Sequence, residues 1–189
     1  MAFQLSDRAK ELIPKARIVS FAGWSGQYPP ELIARFQAAD DAGRYLEDAD
    51  LEAIAAQNGN TTAIQTAQQL RDTANDLVSQ AREQVLQQFP GIAESGGKLY
   101  PPARAEACWR DFWHFLRCVT YGIATGQAEF TSPEGLHYMN LLYQELKVPL
   151  AAMIYGLNAL KQVSIEQYGE LAMAPCFNHL IEKLEQFEP

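Results

Sequence analysis

The stretch from Cys108 to Gly122 places the strongest constraint on the fold of this chain. It contains no proline and no glycine before its last residue, and good helix formers alternate with aromatic side chains along it. Such a composition is typical of a buried helix rather than of one that faces solvent. The pattern therefore predicts a core helix around which the other segments pack.

Reactive and charged side chains gather near the start of this helix. Cys108 and Asp111 are three residues apart, and Arg104 comes four residues before Cys108. Residues at these spacings share one face of a helix. Phe112 and Phe115 continue that face as an apolar wall. We interpret the face as one side of a groove for a long, flat, partly charged molecule.

The same stretch carries a resemblance to a known family. Residues 108–121 read Cys-x-Arg-Asp-x-x-x-x-Leu-Arg-x-Val-Thr-Tyr, which resembles the chromophore-attachment helix of the phycobiliproteins, the antenna family that includes phycocyanin and allophycocyanin. Segments that match in family order are residues 39–46, 89–90, 96–100 and 148–161. The resemblance covers about residues 28–187. It implies an all-α, globin-like fold with an extra N-terminal helical pair.

The remaining sequence agrees with an all-helical chain. Apolar residues recur at spacings of three and four, and no run shows sustained strand alternation. Helices are expected at residues 31–42, 50–57, 62–88 as one helix or two, after Ser132, after Pro149, and at residues 164–187. A chain of 189 residues is long enough for one substantial domain. We divide it into an amino-terminal extension, residues 1–28, and a globin-like domain, residues 29–189.

The amino-terminal extension allows two interpretations. Ser6 is expected to cap a short helix that Pro14 interrupts. Phe21 and Trp24 follow in an apolar patch. They either pack back on their own domain or dock a partner, because aromatic side chains are typical interface anchors. Both alternatives remain open at this point.

The resemblance implies a pigment site on the core helix. One linear tetrapyrrole, phycocyanobilin or a related bilin, would be joined to Cys108 through a thioether by a separate bilin lyase. Asp111 would accept hydrogen bonds from the inner pyrrole nitrogens. Arg104 and Arg110 would bind the two propionates, because a guanidinium group pairs with a carboxylate in a planar, two-pronged way. The aromatic positions assigned to the same site are Phe112, Phe115 and Tyr121.

Several residues depart from the family pattern. Lys98 stands where several family beta subunits carry a modified Asn, and Trp109 replaces a smaller or Tyr side chain. Trp113 either stiffens a pigment or fills part of its groove, and a filled groove would make the chain a pigment-free relative. A haem ligand at His114 is disfavoured, because a globin needs its proximal His on a different helix.

The resemblance also implies a partner interface. In the family, the helical pair at residues 31–42 and 50–57 stands away from the globin-like body and packs against a partner subunit. Asp40 matches an acidic position that pairs with a basic residue across that interface; the alternative is a solvated carboxylate at a helix end. The predicted partner interface consists of Asp40, Phe36, Phe21 and Trp24. The expected partners are other phycobiliprotein subunits or further copies of this chain, with linker or photosystem proteins at the amino-terminal extension.

Composition excludes several classes of protein. The formal net charge of −8 disfavours nucleic acid, whose binding depends on neutralising phosphates. No apolar run is long enough to predict a membrane span. No enzyme motif or metal-ligand cluster is present, so we expect a protein that is not an enzyme. The three cysteines, Cys108, Cys118 and Cys176, are expected to be reduced or modified rather than bridged.

Two functions are consistent with these features. The first is a light-harvesting or energy-transfer subunit with one bilin on Cys108, located in the cytoplasm at the cytoplasmic or stromal face of thylakoid membranes. The second is an interaction or assembly protein for photosynthetic complexes, with the bilin absent or sensory. The Cys-x-Arg-Asp sequence favours the first function. The divergent extension favours the second.

Overall fold

The structure, a computed structural model, describes residues 4–169 and 173–188. Within these ranges the chain forms nine α-helices and no strand: α1 (Asp7–Leu12), α2 (Pro30–Asp41), α3 (Asp48–Asn58), α4 (Thr61–Asp72), α5 (Ala74–Gln88), α6 (Pro102–Thr125), α7 (Pro133–Leu146), α8 (Leu150–Tyr168) and α9 (Ala174–Glu185). The predicted all-α fold is confirmed. Helices in the described part of the chain fall short of the length and hydrophobicity that a membrane span requires.

Helix α6 is the core helix that the sequence predicts. Every residue from Phe115 to Thr125 is buried, so this half of the helix has no solvent-facing side. Helices α3, α4, α5, α8 and α9 all contact α6. The first half of α6 differs, because Arg110 is exposed and Asp111 is only partly buried. The chemically active residues of α6 therefore lie in the half that the core does not enclose.

Two of the helix starts follow from capping side chains. The Ser6 hydroxyl accepts a hydrogen bond from the backbone N–H of Ala9 at 3.1 Å, and Ser132 accepts one from Gly135 at 3.0 Å. These bonds satisfy backbone donors that have no partner within the helix. Pro133 occupies the first turn of α7, where a missing N–H costs nothing. The predicted starts near Ser6 and Ser132 are confirmed.

Residues 62–88 form two helices rather than one. Thr73 separates α4 from α5 and has non-helical backbone angles. Its hydroxyl donates to the carbonyl oxygen of Gln69 at 2.8 Å and bonds the phenol of Tyr168 in α8 at 2.6 Å. Through the bond to Tyr168, Thr73 connects the junction of α4 and α5 to α8.

The predicted single helix at residues 164–187 is wrong. Ser164 lies inside α8, which ends at Tyr168 because Gly169 adopts the left-handed conformation that terminates helices. Helix α9 begins afresh at Ala174, with Pro175 in its first turn. Residues 170–172, which fall within the predicted helix, lie outside the described residues.

The described part of the amino-terminal extension packs on its own chain. Val19 forms an antiparallel bridge with Thr131, and the Ser20 N–H donates to the Phe130 carbonyl at 3.0 Å. Beyond this bridge, aromatic rings of the extension pack against α2. The arrangement follows the first of the two interpretations of the extension. The division of the chain at residue 28 stays a prediction.

Candidate ligand site around Cys108

A cavity of about 770 Å³ lies beside the exposed half of α6. Helix α7, the end of α2 and the amino-terminal extension contribute its other walls. Its volume falls in the range of roughly 300–1,000 Å³ that is typical of small-molecule sites. The cavity is large enough for an organic ligand with several rings.

Five of the seven residues that the sequence assigns to a pigment site line this cavity. They are Cys108, Asp111, Arg110, Arg104 and Phe115. Successive residues of an α-helix are rotated by about 100°, so these positions fall on one broad face of α6. The predicted thiol, carboxylate and guanidinium groups therefore border one space.

Phe112 and Tyr121 do not line the cavity. Cys108 stands at the edge of the cavity-facing side, and Phe112 is about 40° further round the helix. Its ring is fully buried against α8, where a Cβ atom on Gly156 would overlap it. Tyr121 is also fully buried and donates its phenolic hydrogen bond to the backbone carbonyl of Arg44. The helical spacing places both residues correctly on α6 but does not reveal which neighbours cover them.

The Cys108 thiol is buried, with 5% of the residue exposed. Burial raises the pKa of Cys108 to about 12, the nearby Asp111 carboxylate adds to the rise, and Arg104 opposes it. The thiolate is the nucleophilic form of cysteine. Near neutral pH the group is therefore a thiol.

Asp111 is one of three carboxylates that line the cavity, together with Asp40 and Asp41. Tyr143 of α7 donates a hydrogen bond to the Oδ2 atom of Asp111 at 3.1 Å. Burial raises the pKa of Asp111 to about 6, whereas the Tyr143 bond and the Arg110 charge lower it. An ionised carboxylate can accept about four hydrogen bonds. Above its pKa, Asp111 thus has acceptor capacity beyond the single bond from Tyr143.

Four arginines line the cavity, Arg17, Arg104, Arg110 and Arg117, and the two that the sequence assigns to the site have different surroundings. Arg104 donates to the carbonyl oxygens of Leu146 and Lys147, at 2.6 and 3.1 Å, and so caps the C-terminal end of α7. Arg110 is exposed and makes no hydrogen bond or ion pair within residues 4–169 and 173–188. Of these two, Arg110 is therefore available to an acidic ligand, while Arg104 has a structural contact to maintain. Arg17 and Arg117 are paired with Asp40.

The family-divergent aromatic residues leave the cavity open. Trp113 packs edge-on against Tyr45, with 4.7 Å between ring centroids, and is not a cavity residue. His114 lines the cavity, and its Nδ1 atom accepts a hydrogen bond from Arg117 at 3.2 Å. Burial lowers the pKa of His114 to about 4, with further lowering by the charges of Arg117 and Arg110. His114 is consequently neutral near pH 7.

The four residues of the predicted partner interface are buried within this chain. The exposed fractions are 6% for Phe21, 3% for Trp24, 0% for Phe36 and 6% for Asp40. Asp40 accepts hydrogen bonds from two arginines of its own chain, Arg117 at 2.9 Å and Arg17 at 2.5 Å. A partner could reach these side chains only if the extension moved aside. The interface stays a prediction.

Sequence reasoning missed the contribution of the amino-terminal extension to this site. Leu5, Ile13 and Ile18 line the cavity, and Tyr143 lines it and bonds Asp111. None of these residues is assigned to the site from the sequence. The weak apolar periodicity near Leu5 signals that one side of the segment is covered. It does not indicate which part of the domain covers it.

We expect the stability of the chain to carry a pH-dependent contribution from Asp111. Its folded-state pKa, about 6, lies above the ordinary value of 3.8, so the folded state binds the proton more tightly than the unfolded state. This contribution is fully present below about pH 4 and is lost as the pH rises through about 6. The Asp111→Asn variant lacks this contribution. The unfolding free energy of the variant minus that of the wild type should therefore increase by about 2 kcal/mol from pH 4 to pH 7.

Urea unfolding of both proteins across that pH range measures this difference. Taking the difference cancels the opposing titration of His114, which both proteins share. Asp41→Asn is the control with the opposite sign, because hydrogen bonds from Arg17 and Gln37 lower the pKa of Asp41. A pH-independent difference for Asp111→Asn contradicts the assignment.

The sequence of this chain is similar to those of known proteins. The profile of the family described as "Phycobilisome protein" matches residues 34–184. The allophycocyanin subunit alpha-B of a Nostoc species is 30% identical over 153 residues, which are 77% of this chain and 93% of that protein. The allophycocyanin alpha chain of Galdieria sulphuraria is 33% identical over 127 residues, 67% of this chain and 79% of that protein. Because the family profile covers most of its length, the chain belongs to the phycobilisome protein family, the phycobiliproteins, and has their all-α, globin-like fold.

Proposed function

We propose that the chain is a phycobilisome-type light-harvesting or energy-transfer subunit that carries one linear tetrapyrrole on Cys108. Family membership supports the coarser part of this proposal, a subunit of the light-harvesting phycobilisome. The attachment of one bilin to Cys108 is supported by one observation. Cys108, Asp111 and Arg110 all line the same cavity of about 770 Å³. A thiol, an acceptor and a cation in one space match the functional groups of a bilin.

The residues present fit such a ligand. A bilin is a chain of four pyrrole-type rings with N–H donors along its middle and two propionate groups. Asp111 can accept from the N–H groups, and Arg110 can pair with a propionate. Phe115 and the aliphatic residues of the extension provide apolar contact for the ring edges. A bound bilin would supply absorption of visible light, and tight contacts would restrict its torsion.

The state of the Cys108 thiol bears on how a pigment would be attached. Burial holds the thiol in its protonated form near neutral pH, with a pKa of about 12. Spontaneous addition of the sulfur is then slow, because only the thiolate attacks. We therefore include a bilin lyase in the proposal, as the agent that delivers the pigment and assists removal of the proton.

The remaining parts of the proposal concern partners and location. The family relation supports assembly with other phycobiliprotein subunits. We place the chain in the cytoplasm at the thylakoid surface, in a role that is not enzymatic. The alternative, a pigment-free interaction protein, is best matched by a filled groove. The open space beside Cys108 favours the pigment-bearing function instead.

The test is the mass and visible spectrum of the protein isolated from its native pigment-bearing host. We expect one bilin mass per chain on the denatured protein, with absorption and fluorescence in the visible range. Cys108→Ala should lose the covalent mass entirely. Cys176→Ala, which removes another buried cysteine outside the Cys108 cavity, is the matched control and should keep it. A colourless wild-type protein of unmodified mass would overturn the proposal.

A further inference from the structure

The amino-terminal extension forms part of the wall of the Cys108 cavity. Leu5, Ile13, Pro14 and Ile18 line it with apolar atoms, and Arg17 adds a guanidinium group. All of these residues precede the segment that matches the family profile, residues 34–184. Part of the candidate ligand site is thus built by residues outside the matched family domain.

The outer part of the extension, residues 5–17, is held to the domain by a few separate contacts. They are bonds to Glu145 of α7, a cation–π contact of Lys15 with Tyr138 at 5.3 Å, and the ion pair of Arg17 with Asp40. Glu145 of α7 accepts a hydrogen bond from the Ser6 hydroxyl at 2.6 Å and forms an ion pair with Arg8 at 3.8 Å. The Arg8 side chain is 63% exposed, so this ion pair contributes little. Apolar burial in α1 is limited to Ala9 and Leu12.

The inner part, residues 18–28, is anchored far more firmly. Backbone bonds join it to the segment before α7: Ser20 donates to Phe130, and Ser132 donates to the Ile18 carbonyl at 2.8 Å. Trp24 is 3% exposed and packs edge-on against Phe36 of α2, with 5.1 Å between ring centroids. Opening the inner part would expose this aromatic cluster, whereas opening the outer part would expose the smaller side chains of Ala9 and Leu12.

Arg17 marks the boundary between the two parts. Its guanidinium group bonds the buried Asp40, 4% of whose side chain is exposed, as well as the exposed Asp41. Among residues 4–16 only Ala9 and Leu12 are buried, whereas residues 18–28 bury the larger side chains of Val19, Phe21, Trp24 and Tyr28. Segments with few buried apolar contacts open locally without unfolding of the whole domain. The distribution of contacts therefore places a pivot next to Arg17.

We propose that residues 5–17 form a gate over Cys108, which pivots at Arg17 and admits a bulky ligand only when it opens. When the gate closes, Leu5 and Ile13 would contact the ligand and favour one that is long and apolar, while Arg110 favours an acidic group. The identity of that ligand as a bilin rests on the proposed function. The gating of Cys108 does not, since it concerns the pigment-free protein.

The test measures the reactivity of Cys108 in the full-length, pigment-free chain. The protein is treated with a small alkylating reagent and with a bulky maleimide at fixed pH, and the modified peptides are quantified by mass spectrometry. Glu145→Lys removes the acceptor for Ser6 and repels Arg8. We expect the bulky reagent to modify Cys108 about tenfold faster in this variant, because local opening sets the reaction rate of a buried group. The small reagent should show a smaller increase.

Two controls separate gating from general loosening. Glu52→Lys makes the same charge change on the exposed side of α3 and should leave the rate at Cys108 unchanged. Cys176, which does not line the cavity, is the internal reference within each sample. Leu12→Ala is a second variant that weakens the packing of α1 without changing charge, and it should also accelerate Cys108.

The rates of modification by the bulky reagent decide whether the gate exists. Faster modification of Cys108 but not of Cys176 supports the gate. Unchanged rates in both Glu145→Lys and Leu12→Ala overturn it, as does equal acceleration at Cys108 and Cys176. Because no pigment enters this experiment, failure of the gate leaves the proposed pigment attachment to be judged by its own test.

Discussion

Asp40→Asn should lower the free energy of unfolding by about 3–5 kcal/mol, because it leaves a buried arginine without its charged partner. Arg117 and Asp40 form an ion pair at 2.9 Å, with side-chain exposures of 7% and 4%. Removing one charge of a buried pair leaves the other desolvated. The remaining bonds of Arg117, to the Tyr121 hydroxyl at 2.8 Å and to His114 Nδ1 at 3.2 Å, are both to neutral groups. Urea unfolding followed by helical circular dichroism measures the loss.

Asp41→Asn is the matched control for this prediction. Asp41 neighbours Asp40 and binds the same Arg17, but 56% of its side chain is exposed. Exposed ion pairs contribute little to stability, so the loss in Asp41→Asn should be small. Equal losses in the two variants would show that burial of the Asp40–Arg117 pair does not matter.

Gly135→Ala should destabilise the chain by roughly 1–3 kcal/mol, the usual cost of adding a group to a filled space. A Cβ atom at Gly135 would overlap the backbone carbonyl of Arg17, where the extension crosses the first turn of α7. A backbone atom cannot move aside as the end of a flexible side chain can. We therefore expect the extension to be displaced at this crossing.

Limited proteolysis combined with thermal unfolding tests this expectation. Cleavage within the extension should become faster in Gly135→Ala, and the melting temperature should fall. Gly26→Ala is the control in the extension itself, because nothing lies within 4 Å of a Cβ at that position. Proteolysis at the wild-type rate in Gly135→Ala would contradict the close crossing.

The residues of α6 show which features of a helix can be predicted from its sequence. The spacing of Arg104, Cys108 and Asp111 predicts a shared face, and all three residues line one cavity. Periodicity within a helix is a local property, so it can be read without knowing the neighbours. Phe112 follows the same spacing but contacts α8 instead, because the boundary between two neighbouring helices is set by packing.

Asp40 shows where local pattern is insufficient. The resemblance predicts a basic partner for this carboxylate across a subunit interface. In the structure, the basic partners are Arg17 and Arg117 of the same chain, 23 and 77 residues away along the sequence. A charge pattern indicates that a partner is needed, but it does not specify the chain or segment that supplies it.

The sequence by itself determined the helical class of this protein, its core helix, its family and the chemical groups placed near Cys108. These follow from side-chain periodicity and from a motif within one helix, which depend on residues close together in the chain. Tertiary structure alone decided that the amino-terminal extension lines the Cys108 cavity and that its aromatic residues lie buried against α2. Those contacts join segments distant in sequence, and their selection depends on the shape and burial of surfaces that exist only after folding.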